Sequence, residues 1–324
     1  MLYSIQNCMT EWSYTSTIKY EDPFNDVELS AIITDPDGMQ KVVPAFWAGD
    51  DTWRIRYASP KTGIHHFQTC CSDMSNKELH YREGDIEITA YEGENRLFKH
   101  GPLHVSDNGR YFVHDDGTPF FWLGDTWWMG LTSRLQWPYS FQMLTSDRVA
   151  KGFTVIQIVA GLYPDMPPFD ERGANETGFP WTKDFVQINP CYYDSADIRI
   201  GWLVKSGLAP CIVACWGYFL PWMGIKKMKQ HWRNLVARYG AYPVVWCLAG
   251  EGSMPYYLSA EKEKGKDLQK KGWAEIGAYL HQIDPYKRPV TLHPNSCARD
   301  TVSDESVLDF DMLQTGHGDS SSLP

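Results

Sequence analysis

The pattern of hydrophobic and polar positions divides the chain into two parts. In the first part apolar and polar residues alternate in short segments, such as Val27 to Thr34, which the turn sequence Asp35-Pro36-Asp37-Gly38 follows. Alternation with a period of two, broken by frequent turn signals, is typical of antiparallel strands with one buried face. The same pattern predicts strands at 53–57, 63–69 and 85–89. We therefore expect residues 1–95 to form an immunoglobulin-like antiparallel β-sandwich with a structural or sugar-binding role.

Residues 96–118 interrupt this alternation. Gly101, Pro102 and Gly109 are strong breaks in a strand pattern. The sequence Asp115-Asp116-Gly117-Thr118 lies between two apolar segments, 111–114 and 119–122, and an Asp-Gly pair in that position predicts a tight hairpin turn. A linker with a hairpin is expected here, and the second domain is expected to cover 119–324.

From Pro119 onwards continuous apolar runs alternate with segments of helical character. Continuous apolar runs are typical of parallel strands buried on both faces, and their alternation with helices indicates an α/β architecture. No glycine-rich phosphate loop follows a strand, as it often does in a doubly wound sheet. The predicted fold is a (β/α)8 TIM-type barrel, with about six of its strands in this chain. The strands are expected at 120–124, 154–160, 210–215, 244–248, 289–292 and 310–314. The helices are expected at 140–151, 195–206 and 226–239, closed by Gly152, Gly207 and Gly240 as left-handed C-caps.

Two carboxylates directly follow predicted strands. Glu251 ends the apolar run that begins at Trp246, and Asp125 follows Gly124. Since the carboxyl ends of barrel strands share one face, the sequence predicts that both lie in one site. Hydrolysis of a glycosidic bond uses two carboxyl groups, so we predict Glu251 and Asp125 as the catalytic residues. The alternatives are that Glu251 only marks where a core strand meets solvent, and that Asp125 is a helix N-cap or a buried hydrogen-bonding support.

Aromatic and polar residues also collect at the predicted strand ends. The chain has 14 Trp and 18 Tyr, more than a core of this size usually needs, and exposed aromatic faces commonly stack on sugars. Packing in the core or in loops is the alternative role for the aromatic members. The long segment 163–190 exceeds an ordinary strand-to-helix connection and is expected to fold over the site. The predicted substrate-binding residues are Trp127, Trp128, Gln157, Tyr163, Trp216, Tyr218, Trp222, His293, Gln314 and His317.

Composition excludes several classes of function. With 30 basic and 40 acidic residues the net charge is −10, which disfavours binding to nucleic acid. No apolar run reaches the roughly 20 residues that cross a membrane, and the first ten residues lack the features of a signal peptide, so a cytoplasmic protein is expected. The eight cysteines have no metal-binding or disulfide-like spacing and are expected to be free thiols. No cofactor is expected. His293 and His317 admit a zinc site, but no His-x-His follows the first strand, so no metal is expected either.

Four segments resemble the apiosidase-like glycoside hydrolases. They are Phe120 to Trp128, Lys151 to Gln157, Trp246 to Glu251 and Leu308 to His317, in this order along the chain. The N-terminal segments Asp22-Pro23-Phe24, Ala45-Phe46-Trp47 and Trp53 to Tyr57 are similar to the β-sandwich that often precedes this barrel in endoglucanase-like proteins. The resemblance implies a (β/α)8 barrel and a retaining glycosidase that acts on a plant or microbial oligosaccharide or polysaccharide.

The resemblance also implies roles for particular residues. Glu251 corresponds to the acid/base of the family, although many members have Gly-Gly-Asp where this chain has Ala249-Gly250-Glu251. The nucleophile of the family is a Glu on a later strand, so it is expected beyond Pro324, and a second polypeptide or a homo-oligomer is expected to complete the barrel. The alternative functions are a non-catalytic carbohydrate-binding protein and, less favoured, a metal-dependent barrel hydrolase.

Overall fold

A computed structural model describes residues 1–260 and 262–315, except for the side chains of 262–264. The N-terminal part contains two sheets that enclose one apolar core, with Ile33, Phe67 and Ile86 from one sheet and Trp53 and Ile55 from the other. The strand orders are β1-β8-β7-β3-β4 and β2-β6-β5, and every pairing is antiparallel except that of β1 with β8. The strands are β1 Leu2–Ile5, β2 Thr10–Thr15, β3 Leu29–Thr34, β4 Gln40–Pro44, β5 Phe46–Trp47, β6 Thr52–Tyr57, β7 Gly63–Cys71 and β8 Glu83–Thr89.

The predicted alternation is seen directly in β3, where buried and half-buried residues alternate along the strand. This confirms antiparallel N-terminal sheets with one face in the core. A short helix, α1 (Pro23–Asp26), lies in a stretch where no helix was expected, and Asp22 caps it by accepting a hydrogen bond from the Asn25 backbone N–H.

The predicted hairpin is part of a small three-stranded antiparallel sheet. Its strands are β9 (Leu103–Val105), β10 (Phe112–His114) and β11 (Pro119–Phe120), and helix α2 (Arg96–Lys99) precedes it. Gly117 has a φ of 83°, which explains the glycine in the turn between β10 and β11. Strand β9 was missed because the segment was taken for a linker.

The second part is built on a five-stranded parallel sheet whose strand order equals the chain order. Every residue of the three central strands is buried, as expected for strands that are covered on both faces. The strands are β12 Gly124–Trp127, β13 Val155–Leu162, β14 Ala209–Cys215, β15 Val245–Gly250 and β16 Val290–His293. The helices that follow the first four strands are α3 Tyr139–Ala150, α4 Pro190–Lys205, α5 Phe219–Tyr239 and α6 Lys262–Ile283.

The glycines expected to close the helices behave differently. Gly152 and Gly207 have φ values of 79° and 83°, so both are left-handed, as predicted. The prediction for Gly240 is wrong, because its φ is −59°. A Cβ at Gly240 would lie 2.7 Å from the Val236 carbonyl oxygen and 3.0 Å from the Tyr286 ring, so close packing explains this glycine.

Two strand predictions need correction at the edges of the parallel sheet. The first strand is Gly124–Trp127 and not 120–124, because Phe120 belongs to the antiparallel hairpin and Gly124 is the residue opposite Val155. The sixth strand, predicted at 310–314, is not formed. Asp309 bonds to both backbone groups of Val290, but residues 312–314 pair with the segment 296–298 and not with β16. The Ala298 N–H donates to the Met312 carbonyl, the Gln314 N–H donates to the Ser296 carbonyl, and Cys297 and Leu313 form an isolated antiparallel bridge.

A charged cluster joins the sandwich to the helices of the second part. Asp197 on α4 accepts hydrogen bonds from Arg56 on β6 at 2.6 Å and from Arg238 on α5 at 2.8 Å. Arg56 also donates to the Arg238 carbonyl at 2.8 Å, and the Arg238 guanidinium lies 4.2 Å from the ring centroid of Phe46. This cluster, Arg56, Asp197 and Arg238, is called the interface triad below.

All eight cysteines are free thiols, as the spacing predicted. Within the described ranges 1–260 and 262–315, none of the helices combines the length and apolar character needed to cross a bilayer.

Candidate active site

Glu251 lies at the carboxyl end of β15, in an unusual backbone conformation. Its φ is 44°, in the left-handed region that costs a non-glycine residue free energy and that occurs often at functional sites. Its carboxylate accepts a hydrogen bond from Trp216 Nε1 at 3.3 Å and another from Gln314 Nε2 at 3.4 Å. Both bonds are long and both donors are neutral, so the half-buried carboxylate is oriented but not neutralised.

The glycines on either side of Glu251 allow neighbouring elements to approach it closely. A Cβ at Gly250 would lie 2.2 Å from the Trp216 ring, and a Cβ at Gly252 would lie 2.7 Å from the Leu292 side chain. Gly217 is restricted in the same way, since its Cβ would be 2.5 Å from the Glu251 carbonyl oxygen. The ends of β14, β15 and β16 are therefore packed so tightly that the position of Glu251 is fixed by its neighbours.

Three ring side chains pack on one another, and one of them, Trp216, donates to this carboxylate. The Trp128 ring centroid lies 5.4 Å from that of Trp216 and 5.1 Å from that of His293, in both cases edge to face. The Trp216 and His293 rings are 6.1 Å apart. These residues come from the ends of three different strands, and the structure brings them into contact with one another.

A second aromatic group lies further out and lines a groove with Pro221 and Gln269. Trp222 packs on Tyr218 at 5.0 Å and on Tyr256 at 4.9 Å. The half-exposed Tyr257 donates a hydrogen bond to Asp165. Burial, followed by this hydrogen bond and by the negative charges of Asp165 and Glu251, raises the pKa of Tyr257. The outer group is defined as Tyr218, Trp222, Tyr256 and Tyr257.

Gln157 is directed into the interior between the strands. It is 8% exposed, and its Nε2 lies 3.7 Å from Cys247 Sγ and 3.5 Å from Met312 Sδ. Cys247 also accepts a hydrogen bond from the His293 backbone N–H at 3.2 Å. Cys247 therefore ties β13, β15 and β16 together below Glu251, a role that sequence reasoning missed because a thiol in an apolar run was taken for a simple packing residue.

Asp125 lies at the other end of the sheet. The strand register aligns Asp125 with Ile156 and Pro210, whereas Trp216, six residues after Pro210, aligns with Gly250. At about 3.3 Å per residue, Glu251 is displaced from the level of Asp125 by roughly 20 Å along the strands. The paired carboxyls of a glycosidase are about 5 to 9.5 Å apart, so this placement does not support Asp125 as the partner of Glu251.

The contacts of Asp125 fit a supporting role. Its carboxylate accepts hydrogen bonds from Trp127 Nε1 at 2.9 Å and from Arg148 Nε at 2.5 Å. Burial alone would raise the pKa of this carboxyl, but these hydrogen bonds outweigh burial and the pKa lies below its usual value. Asp125 was expected at the carboxyl end of a strand because the first strand was predicted at 120–124. The observed strand, β12, begins four residues later, at Gly124.

Five of the predicted substrate-binding side chains are buried, and Gln157 and Trp216, at 8% and 5% exposure, are two of them. Trp127 is 6% exposed and packs against Phe141 at 5.4 Å. Tyr163 and Tyr218 are each 1% exposed; the Tyr163 hydroxyl contacts that of Tyr192, and the Tyr218 hydroxyl donates to the Tyr163 carbonyl. The geometry thus favours packing roles for Trp127 and Tyr163, while Tyr218 is the buried member of the outer aromatic group. His317 lies outside the described residues.

No group of three His, Cys, Asp or Glu side chains in the described ranges is arranged to hold a metal ion. Because His317 is not among those residues, the zinc alternative raised from the sequence is left open by this observation.

Comparison with known families decides the classification of this chain. The family described as "Apiosidase-like, catalytic domain" matches residues 106–323, which is 218 of the 324 residues. The chain belongs to the apiosidase-like family. A second family, a domain of unknown function designated DUF5060, matches residues 8–72, within the N-terminal sheets of this apiosidase-like protein. A search of curated proteins finds no match to the chain.

Solved structures resemble the fold of the apiosidase-like chain. A protein of Bacteroides vulgatus ATCC 8482, provisionally assigned as a glycoside hydrolase, superposes with a TM-score of 0.71 at 19% identity, over 96% of this chain and 59% of that one. A glycoside hydrolase of family 5 from the same organism gives a TM-score of 0.54 at 24% identity, over 70% and 46% of the two chains. A third structure, titled only as a glycoside hydrolase, gives 0.54 at 26% identity, over 68% and 50%. The apiosidase-like chain therefore spans only about half the length of these proteins.

Proposed function

We propose that this protein is a glycoside hydrolase and that Glu251 is its general acid/base. The observation that supports this most directly is the state of Glu251 itself, a carboxylate in a left-handed backbone at a strand end, held by two long neutral hydrogen bonds, one of them from the Trp216 ring. The family match adds support, since the residue occupies the strand-end position from which such enzymes act.

We also propose that the parallel sheet is part of a (β/α)8-type barrel. In a barrel, successive strands lie side by side in chain order, and this is the order of β12 to β16. A doubly wound sheet instead reverses its order at the point where ligands bind. The contact of Gln157 on β13 with Cys247 on β15, two strands away, supports curvature of the sheet around a shared interior.

The proposed mechanism is the two-carboxylate retaining reaction. Glu251 would protonate the leaving glycosidic oxygen and afterwards remove a proton from the attacking water. Trp216 and Gln314 fix the direction of its carboxyl group through their N–H donors. The second carboxylate is proposed to be a residue other than Asp125, because of the separation along the strands.

The proposed substrate is a plant or microbial oligosaccharide or polysaccharide. Trp128 and Trp222 are half-buried, so each offers part of a ring surface on which a sugar can stack. Trp128 packs against Trp216, which donates to Glu251, and Trp222 lines the groove of the outer aromatic group. Two aromatic surfaces at different distances from Glu251 fit a substrate of more than one sugar unit.

The test is a pair of substitutions at Glu251 in the full-length protein, assayed on a panel of aryl glycosides and polysaccharides. Glu251→Gln should lower kcat/KM by roughly 10²- to 10⁴-fold, because positioned proton transfer is lost. Glu251→Ala should be reactivated by azide on substrates with a good leaving group, and the product should be a glycosyl azide of retained configuration, since azide needs no general base.

Glu94→Gln serves as the matched control, because Glu94 is a highly exposed glutamate between β8 and α2. Its activity should equal that of the wild type. Full turnover in Glu251→Gln would exclude the proposed role. Binding of carbohydrate without turnover in the wild type, unaffected by Glu251→Gln, would instead indicate a carbohydrate-binding protein.

A further inference from the structure

A second cavity lies far from Glu251, between the β-sandwich and the amino ends of the parallel strands. Pro243 and Arg288, which line it, come shortly before β15 and β16, so the cavity is at the sheet edge opposite the candidate active site. It encloses about 470 Å³ of empty space, part of which is open to solvent. The residues that contribute side chains to the argument are Lys41, His104, Asp115, Tyr286 and Arg288.

Arg288 brings a buried cation to this cavity. The residue is only 6% exposed, and its side chain makes one hydrogen bond, from Nε to the Gly240 carbonyl at 3.1 Å. Neither of its Nη atoms has a hydrogen-bond acceptor among residues 1–260 and 262–315. A guanidinium with an unused pair of donors is suited to a planar or tetrahedral oxyanion, which it can bind through two parallel hydrogen bonds.

Lys41 on β4 brings a second cation from the sandwich. Its Nζ lies 5.8 Å from the ring centroid of Tyr286, and the Arg288 guanidinium lies 5.1 Å from the same centroid. No described carboxylate is within salt-bridge distance of either cation. Burial, and secondly the charge of Arg288, lowers the pKa of Lys41, so the two cations repel each other when nothing lies between them.

The acidic groups nearby are already engaged. Asp284 accepts hydrogen bonds at 2.9 Å from Trp246 Nε1 and from the backbone N–H groups of Tyr286 and Arg288. Asp115 pairs with His104 at 3.0 Å. Their charges reduce the positive potential of the cavity, but their oxygens do not satisfy the donors of Arg288 or Lys41.

We propose that this cavity is a binding site for a small oxyanion, which Arg288 and Lys41 hold between the β-sandwich and the parallel-sheet region. Inorganic phosphate and a carboxylate share the chemistry that these donors recognise. An anion here would link β4 to the segment that leads into β16, and so would stabilise the contact between the two parts of the molecule without touching Glu251.

The test measures the thermal unfolding midpoint and the binding isotherm of the full-length protein with sodium phosphate, and separately with sodium acetate, against sodium chloride at constant ionic strength. We expect a saturable rise in Tm with one anion bound per chain. Lys41→Met should weaken the affinity by roughly tenfold or more, as expected for loss of a charged hydrogen bond. Without the anion this variant should be at least as stable as the wild type, because the repulsion from Arg288 is removed.

Two controls separate this site from other effects. Lys77→Met removes an exposed lysine elsewhere on the sandwich and should leave the affinity unchanged. Glu251→Gln should also retain the wild-type affinity, which distinguishes the cavity from the candidate active site. The proposal would be overturned if neither anion gave a saturable effect, or if Lys41→Met bound the anion as tightly as Lys77→Met. Arg288→Gln is a second variant in which the anion-dependent rise in Tm should be lost.

Discussion

The carboxylate of Glu251 and that of Asp197 are held in opposite ways. Asp197, in the interface triad, is 11% exposed and accepts short hydrogen bonds from two guanidinium groups. Glu251 accepts two bonds longer than 3.2 Å from neutral donors and lies in a strained backbone. Burial alone would raise the pKa of Asp197, but the charges of Arg56 and Arg238 outweigh burial and the pKa is lowered.

This difference is the one expected between a structural carboxylate and the proposed catalytic one. A carboxylate whose charge is paired with fixed cations binds a substrate only weakly, and the surrounding fold depends on the ion pairs that it makes. A carboxylate that is oriented but not neutralised can still exchange a proton or accept a new hydrogen bond. The position of a carboxylate in a sequence does not reveal which of the two it is, because the partners come from distant segments.

The largest expected effect is on the stability of the interface triad. Asp197→Ala should lower the free energy of unfolding by about 3 kcal/mol, because Arg56 and Arg238 would lose their shared buried acceptor and keep only the more exposed carboxylates of Glu11 and Asp194. Urea denaturation measures this loss. Asp194→Ala is the matched control, since Asp194 lies on the same helix and contacts Arg238 but is 41% exposed, and its loss should be much smaller. Equal effects of the two variants would contradict the distinction drawn here.

The next effect concerns His231 on α5, a fully buried group that accepts a hydrogen bond from Trp181 in the long segment 163–190. Its Nε2–H donates to the Ala214 carbonyl at 2.9 Å, and its Nδ1 accepts from Trp181 Nε1 at 3.3 Å. Burial lowers the pKa of His231 to about 4. The unfolded chain takes up a proton near pH 6.5 and the folded chain only near pH 4, so stability falls as the pH decreases through this window, by up to about 3 kcal/mol.

Denaturation curves between pH 7 and pH 4 test this expectation. His231→Gln retains one donor and one acceptor but does not titrate, so its stability should change less over this range than that of the wild type. An equally steep loss in the variant would assign the pH dependence to other groups.

The sequence predicted the central strands and the hairpin well, for a physical reason. Strands β13, β14 and β15 are buried on both faces, so they appear as continuous apolar runs that need no tertiary information. The turn at Gly117 likewise depends only on residues that are neighbours in the sequence. The strand-end position of Glu251 followed from the end of such a run.

The errors arose where distant contacts decide the structure. The stretch from Phe120 to Trp128 is mostly apolar, so its pattern does not show that the hairpin ends at Phe120 and that the parallel strand begins at Gly124. Residues 312–314 pair with the segment 296–298 and not with β16, and the apolar pattern of 310–314 does not show this partner. The shift of the first strand also moves Asp125 from the end of the predicted strand to the second residue of β12.

A smaller effect is expected from the donor that orients Glu251. Trp216→Phe keeps an aromatic ring against Gly250 but removes the N–H that donates to the carboxylate. We expect kcat to fall about tenfold, with KM nearly unchanged, because a hydrogen bond to a charged group is worth about 1.5 to 3 kcal/mol. Steady-state kinetics measure this. A change confined to KM would instead place Trp216 in substrate binding.

The smallest effect is expected at Asp125, and it concerns stability alone. Asp125→Asn should lower the free energy of unfolding by about 1 kcal/mol, because the hydrogen bonds from Arg148 and Trp127 lose a charged acceptor. The pKa of Asp125 is lowered in the folded protein, so its contribution to stability is present at neutral pH and is lost as the pH falls below the usual value of 3.8. In acid, the wild type and Asp125→Asn should therefore become equally stable. Activity at neutral pH should be unchanged. A loss of turnover as large as that of Glu251→Gln, without loss of stability, would restore Asp125 as a catalytic residue and would show that the separation along the strands had been read wrongly.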